Sequence, residues 1–221
     1  MHSPRPACSR RSRHRECKPL AAFGPARDDG QARLTLDIYL ARHGETEWSL
    51  SGQHTGVTDL ALTAQGEAEA RSLGERLSGL TFDTVFSSPL QRAWRTAEIA
   101  GFPDPTLTPL LREFDYGDYE GITTPEIHER QPGWELFTDG CPGGETPAQV
   151  YARALGFISL CEAAGGRVLA FGHGHILRAV AVAWLGLDIT VATGLQLDVA
   201  TLSRLQEDPQ HGRVLVMWNS P

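Results

Sequence analysis

Residues 34–44 read Leu-Thr-Leu-Asp-Ile-Tyr-Leu-Ala-Arg-His-Gly. The first eight, Leu34–Ala41, alternate and are rich in Leu, Ile and Tyr, which predicts a buried strand. That strand runs straight into Arg42-His43-Gly44. The same grammar returns late in the chain, where the apolar strand Arg167–Phe171 ends in Gly172-His173-Gly174-His175. Helical patterns stand between. Thr63 opens one, with Ala70, Leu73, Leu77 and Leu80 at helical spacing. After the short apolar run Thr84–Phe86, Ser88-Pro89-Leu90-Gln91 reads as a helix start, with Ser88 at the N-cap and Gln91 completing a capping box. Thr146-Pro147-Ala148-Gln149 repeats that pattern, and Val150, Ala154, Phe157, Ile158 and Cys161 continue it as one apolar face until Gly165-Gly166 stops it. Ile176–Leu185 reads as an apolar helix. Val199–Leu205 and Val214–Trp218 read as two late strands joined by a polar turn.

Alternating strands and helices place the chain in the α/β class, with a mostly parallel central sheet. Residues 101–145 are rich in Pro, Gly and Asp and weakly periodic. They read as an insertion over the active site, because loops of that length are uncommon without a functional reason. Trp134 is expected to anchor it in the core. Residues 1–33 are rich in Pro, Arg and Ala without apolar periodicity and are expected to form a disordered basic head. The folded domain is expected over 34–221.

The 221 residues carry 20 Lys+Arg against 27 Asp+Glu, a formal net charge of -7. The head holds eight basic and three acidic side chains, or +5, so the remaining residues carry -12. Such a body is a poor nucleic-acid binder, since duplex binding wants a basic face. No apolar run approaches the roughly 18 residues a membrane span needs. Pro19, Gly24, Pro25 and Arg27 interrupt any apolar run after the basic stretch, so no secretory signal is expected. The four cysteines, Cys8, Cys17, Cys141 and Cys161, form neither a Cys-x-x-Cys pair nor a disulfide framework. A cytoplasmic location is therefore expected, and a homodimer is left open.

The chemistry concentrates at the two His-Gly segments. Ligand sites in open α/β sheets gather at the carboxyl ends of strands, so His43 and His173 are expected to face one crevice. Glycine beside each histidine allows close backbone approach to a ligand. Lys18 is the only lysine in the chain, so every cation of the body is an arginine or a protonated histidine.

At this point the sequence resembles a known family. Arg42-His43-Gly44-Glu45-Thr46 looks like the signature of the histidine phosphatase superfamily, which has the phosphoglycerate mutase-like fold. Four further blocks support it in order: Leu62-Thr63-Ala64-Gln65-Gly66-Glu67, Ser87-Ser88-Pro89-Leu90-Gln91-Arg92-Ala93, the run from Leu111-Arg112-Glu113 to Tyr119-Glu120-Gly121, and Gly172-His173-Gly174-His175. The resemblance covers about Leu36 to Leu205 and implies a three-layer α/β/α fold. It implies that His43 is the nucleophile and takes the phosphoryl group as a phosphohistidine. Arg42, Arg92 and His173 would surround the phosphoryl oxygens. Glu113 would give a proton to the leaving alkoxide and then act as base for water. No metal or cofactor is implied.

These residue types suit the task. A neutral imidazole nitrogen is nucleophilic near pH 7, whereas a hydroxyl needs a base. Phosphoryl transfer asks mainly for positioning and charge stabilisation. Arginine's planar fork matches phosphate oxygens and stays charged at any working pH. An alkoxide needs a proton, which a carboxyl with a raised pKa can supply. Substrate contacts are expected from Ser49, which stands where many mutase-like members place Asn, and from the loop Gln53, His54, Thr55 and Gly56. Tyr116 and Gly174 are further candidates, and Arg178 could hold a second anionic group. His175 is expected to pack or cap.

Glu113–Glu145 carries nine acids and one base, Arg130. A mutase must hold a doubly phosphorylated intermediate, which an acidic segment suits poorly. A metal-independent phosphatase acting on phosphomonoesters of small metabolites, sugar phosphates or bisphosphates among them, is therefore expected. The local wording is similar to broad-specificity acid phosphatases of actinobacterial type and to fungal sedoheptulose-1,7-bisphosphatases. The alternatives are a cofactor-dependent phosphoglycerate mutase, a metallohydrolase built on His43, Glu45, His173 and His175, and an idle module that binds phosphorylated partners.

Overall fold

Strand β1 (Asp37–Arg42) lies at the heart of a computed structural model that describes residues 35–221. The expectation for residues 1–33 lies outside the described residues, as does Leu34, where the first strand was expected to begin. In chain order the elements are β1, α1 (Glu47–Ser51), α2 (Ala64–Leu77), β2 (Thr84–Ser87), α3 (Gln91–Ile99), β3 (Thr106–Leu107), α4 (Thr124–Arg130), α5 (Leu136–Asp139), α6 (Pro147–Ala164), β4 (Arg167–Gly172), α7 (Gly174–Trp184), β5 (Leu202–Asp208) and β6 (Gly212–Ser220).

Six strands form one sheet in the order β3-β2-β4-β1-β5-β6. β3, β2, β4 and β1 run parallel, and β5 runs antiparallel to both its neighbours. Successive side chains of a strand point to opposite faces, and here both faces are covered. Ile38, Leu40, Val168 and Ala170 pack with α6 and α7 residues such as Phe157, Ile158, Ile176 and Val180. Tyr39, Ala41, Leu169 and Phe171 pack on the other side against Leu73, Leu77 and Ala97 of α2 and α3. This is the three-layer α/β/α arrangement. Asp37 fastens the lower edge of the sheet, accepting from Arg204 Nε at 2.7 Å and from Arg167 Nε at 3.3 Å.

Three local expectations are corrected. Thr63 and Thr146 do cap α2 and α6, and Thr146 and Gln149 form the full capping box. Ser88 does not cap α3, whose N-cap is Leu90. The Ser88 hydroxyl is held by His173 Nε2 at 2.8 Å instead, so the helix starts after the site it feeds. Helix α7 begins two residues earlier than its apolar run, at Gly174, with His173 in the N-cap position. Strand β5 starts at Leu202 rather than Val199, because Ala200 sits in the left-handed region at φ 52.

The segment 101–145 is only partly an insertion, because Thr106–Leu107 joins the sheet beside β2. The rest folds as the short helices α4 and α5 and two 3-10 turns. Trp134 is buried, and its indole N–H donates to Gly140 O at 2.7 Å. No helix among the described residues is long and apolar enough to cross a membrane.

Candidate active site

Parallel pairing of β1 with β4 sets Arg42 opposite Gly172, so the next residues, His43 and His173, leave the sheet side by side. Their ring centroids lie 5.1 Å apart, and His43 N donates to Gly172 O at 3.0 Å. A strand register thus joins two histidines 130 positions apart. Gly44 is required where the chain turns away, since a Cβ there would stand 2.3 Å from Gly66 O at the start of α2.

The two rings are wired differently. His43 Nδ1 is 2.7 Å from Gly44 O. A carbonyl can only accept, so the proton sits on Nδ1 and the lone pair is left on Nε2. Burial, then the charges of Arg92 and Arg42, hold His43 well below the ordinary histidine pKa. It is neutral near pH 7, as a nitrogen nucleophile must be. His173 accepts from Arg92 Nε on Nδ1 at 3.0 Å, so its proton is on Nε2, which donates to Ser88 Oγ. Burial, then Arg92 and His43, keep it neutral too. With both nitrogens committed, His173 has no ring nitrogen to offer a phosphoryl oxygen. Its contact is with Arg92.

Arg92 is fully buried on α3. Besides His173 it donates from Nη1 to Thr58 O and from Nη2 to Thr55 O and Gly56 O, at 2.8–3.0 Å. One Nη1 hydrogen stays uncommitted. Arg42 gives Nη1 to Leu197 O, while its Nε is buried without a protein partner among the described residues. A buried unpaired donor costs about 1–3 kcal/mol, which an anionic oxygen would offset. The Arg42 guanidinium lies over Gly174, where a Cβ would come within 3.3 Å of Cζ. The glycine after His173 is what lets the cation sit there.

Glu113 occupies the start of α7. Its Oε1 accepts from Phe114 N and Ile176 N at 2.9 Å, and Oε2 accepts from His175 N at 3.0 Å. The positive end of a helix favours a carboxylate. Burial raises the Glu113 pKa, but hydrogen bonding to His175 and the neighbouring His175 and His173 outweigh it, so the carboxyl lies well below its usual range. It is an ionised carboxylate here, the opposite of the raised pKa expected of a proton donor.

A cavity of about 220 Å³ opens above His43 and Arg42. Ser49, Gln53, His54, Thr55, Tyr116, Gly174 and Arg178 line it. Several of these spend their polar atoms on the wall itself. Ser49 Oγ completes the capping box of α1 with Thr46. Gln53 Nε2 donates to Gly121 O at 2.6 Å, and His54 Nδ1 donates to Ile122 O at 2.8 Å. Thr55 Oγ1 donates to Gln53 O at 3.2 Å. Arg178 donates from Nε and Nη2 to Ala192 O and stacks 5.0 Å over Phe137, and its Nη1 has no partner among the described residues. Gly56 does not reach the cavity. Its N–H donates to the Glu120 carboxylate, and a Cβ there would strike Phe114 O at 2.5 Å.

His175 is expected from the sequence to pack or cap, and the structure places it in the cavity wall. Its Nδ1 is 2.5 Å from Tyr116 Oη. Its place two residues after His173, at a helix start, was the available signal. Of the four residues of the metallohydrolase alternative, His173 has both ring nitrogens engaged, and Glu45 Oε1 accepts from Thr63 Oγ1 at 2.7 Å.

The family model of the histidine phosphatase superfamily (branch 1) matches residues 38–221. An acid phosphatase of Mycobacterium tuberculosis is 42% identical over 169 residues, covering 75% of this chain and 83% of the relative. A sedoheptulose 1,7-bisphosphatase of Saccharomyces cerevisiae is 34% identical over 78% of this chain and 74% of its own. A 2,3-bisphosphoglycerate-dependent phosphoglycerate mutase of Methylobacterium is 39% identical over 77% and 92%. Among solved structures, that of an open reading frame of Mycobacterium tuberculosis superposes with a TM-score of 0.80 at 38% identity, covering 83% of this chain and 97% of that one. His43 leaves the carboxyl end of β1 under the charges of Arg42 and the buried Arg92, and the chain belongs to the histidine phosphatase superfamily, branch 1.

Proposed function

We propose that this protein is a metal-independent phosphomonoesterase that acts on small phosphorylated metabolites through a phosphohistidine at His43. The observation that carries this reading is the open Nε2 of a neutral His43, preceded in the chain by Arg42 with its unpaired Nε. A phosphoryl oxygen satisfies that donor under the added charge of the buried Arg92, while its phosphorus faces the lone pair. The P–N bond forms as the P–O bond to the leaving group breaks. Charge then builds on oxygens already met by two fixed cations, which need no reorganisation. The leaving alkoxide takes a proton from the group around Glu113. Water enters by the reverse path and returns His43 to its free form.

Phosphatase is favoured over mutase by the charge of the cavity. Apart from Arg42 at the phosphoryl end, Arg178 is the one arginine among the described residues that lines it, and most of that guanidinium is spent on backbone carbonyls. The acids of 113–145 are largely structural: Glu120 holds Gly56 and Thr58, and Glu145 pairs with Arg153 at 2.7 Å. Little there would retain a doubly phosphorylated intermediate. The mutase relative keeps the second reading in play. A panel of sugar mono- and bisphosphates, phosphoglycerates and nucleotides, ranked by kcat/KM with and without chelator, tests both. The expected result is phosphate release that chelators leave unchanged. Interconversion of phosphoglycerates much faster than phosphate release would overturn the phosphatase reading.

A further inference from the structure

The proton path raises a problem that the phosphatase reading leaves open. Glu113 is nearly inaccessible, with 6% of its side chain exposed, and it does not line the cavity that holds His43. Three backbone amides fill its acceptor sites except one on Oε2. The titratable group over that remaining site is His175, whose Nδ1 is 3.7 Å from Oε2 and 2.5 Å from Tyr116 Oη. His175 does line the cavity, and 26% of its side chain is exposed. Its Nε2 has no protein partner among the described residues and is not among the buried unpaired atoms, so it is accessible.

We propose that the Glu113–His175 pair passes its proton to the leaving oxygen through His175 and takes one back from water, with His175 Nδ1 held by Tyr116 and Glu113 and its Nε2 presented to the substrate. The inference rests on the phosphohistidine reading above. The arrangement is the carboxylate-behind-imidazole logic by which a buried acid orients a histidine and stabilises its imidazolium.

In the forward step the His43 Nε2 lone pair forms the P–N bond. The P–O bond breaks with its electron pair on the leaving oxygen, which takes the Nε2 proton of the His175 imidazolium. His175 is left neutral, with Nδ1–H toward Tyr116 and Glu113. In the return step water oxygen bonds to phosphorus, its proton goes to His175 Nε2, and the P–N pair returns to His43. Atoms and charge balance over the cycle.

The groups facing His175 set its protonation. Burial, Arg178 and His54 disfavour the imidazolium, and Glu113 favours it. A phosphoryl group on His43 adds negative charge and acts in the same direction as Glu113. His54 lies stacked 6.2 Å away, and Tyr116 and Phe137 close the remaining sides of the ring.

The test compares two substrates of wild type and His175→Asn. Glycerol 2-phosphate has an alkoxide leaving group that needs a proton, whereas 4-nitrophenyl phosphate leaves as a stable phenolate. The variant is expected to lose on the order of 10² in kcat/KM on the alkyl ester and about threefold or less on the aryl ester. Tyr116→Phe is expected to show a smaller loss of the same selective kind, and it gives the comparison if His175→Asn fails to fold. Equal losses on both esters, or no loss on the alkyl ester, would overturn the inference while leaving the phosphatase reading intact. A wild-type protein that releases phosphate from neither ester would overturn both.

Discussion

The ends of β1 and β4 carry the same dipeptide, yet their histidines do different work. His43 spends one nitrogen on its neighbour's carbonyl and keeps the other open. His173 spends both, one on Arg92 and one on Ser88. Burial and the same arginines make both neutral, so electrostatics does not separate them. What separates them is the group across from each ring. A histidine with an open lone pair is free to react, and a histidine with none holds its partner in place.

The largest expected effect follows from that difference. His43→Ala should reduce kcat by at least about 10⁴, as removal of a nucleophile does, with little change in melting temperature. His173→Ala should cost less in rate, about 10²–10³, and more in stability, because Arg92 Nε would be left buried and unpaired at about 1–3 kcal/mol. Steady-state rates and thermal melts on the two variants check both. A His173 variant as dead as His43→Ala, yet equally stable, would break the comparison.

Stability against pH should treat the two alike. Both rings sit below the ordinary value of 6.5 in the folded protein. Above that value neither state is protonated, and there is no linkage. Below it the unfolded chain takes up protons that the folded chain refuses, so stability falls as pH drops from 6.5 toward the folded pKa values. Each ring contributes up to about 1.4 kcal/mol per pH unit. Denaturant melts between pH 7 and 5 should therefore lose about one proton of slope in either His43→Ala or His173→Ala. The smallest expected effect is that of Ser88→Ala. It removes the acceptor of His173 Nε2 and should cost about 1–2 kcal/mol in stability, with a rate loss well short of the His173 variant. Unchanged melting would show that the bond holds nothing.

Much of the comparison was legible in the sequence. The periodicity of Leu34–Ala41 and Arg167–Phe171 marked two buried strands, and the shared His-Gly endings placed two rings at one edge. The register that aligns Arg42 with Gly172 was not legible, since pairing across 130 positions leaves no local trace. Ser88-Pro89-Leu90-Gln91 and Thr146-Pro147-Ala148-Gln149 have the same local grammar, and only the second became a cap. The first lost its hydroxyl to a histidine 85 positions away. His175 reads from the sequence as a packing or capping residue for the same reason. Its chemistry comes from Glu113 and Tyr116, which reach it through tertiary packing rather than through helix spacing. The motif marks Glu113, but its ionised state depends first on the His175 side chain and then on the His173 ring, which tertiary packing brings to it.

The most direct measurement is rapid chemical quench during turnover, followed by peptide mapping under alkaline conditions that preserve phosphohistidine. The account predicts a phosphoryl group on the peptide carrying His43, formed at least as fast as turnover, and none on the peptide carrying His173. Label on His173, or steady turnover with neither peptide labelled, would contradict it.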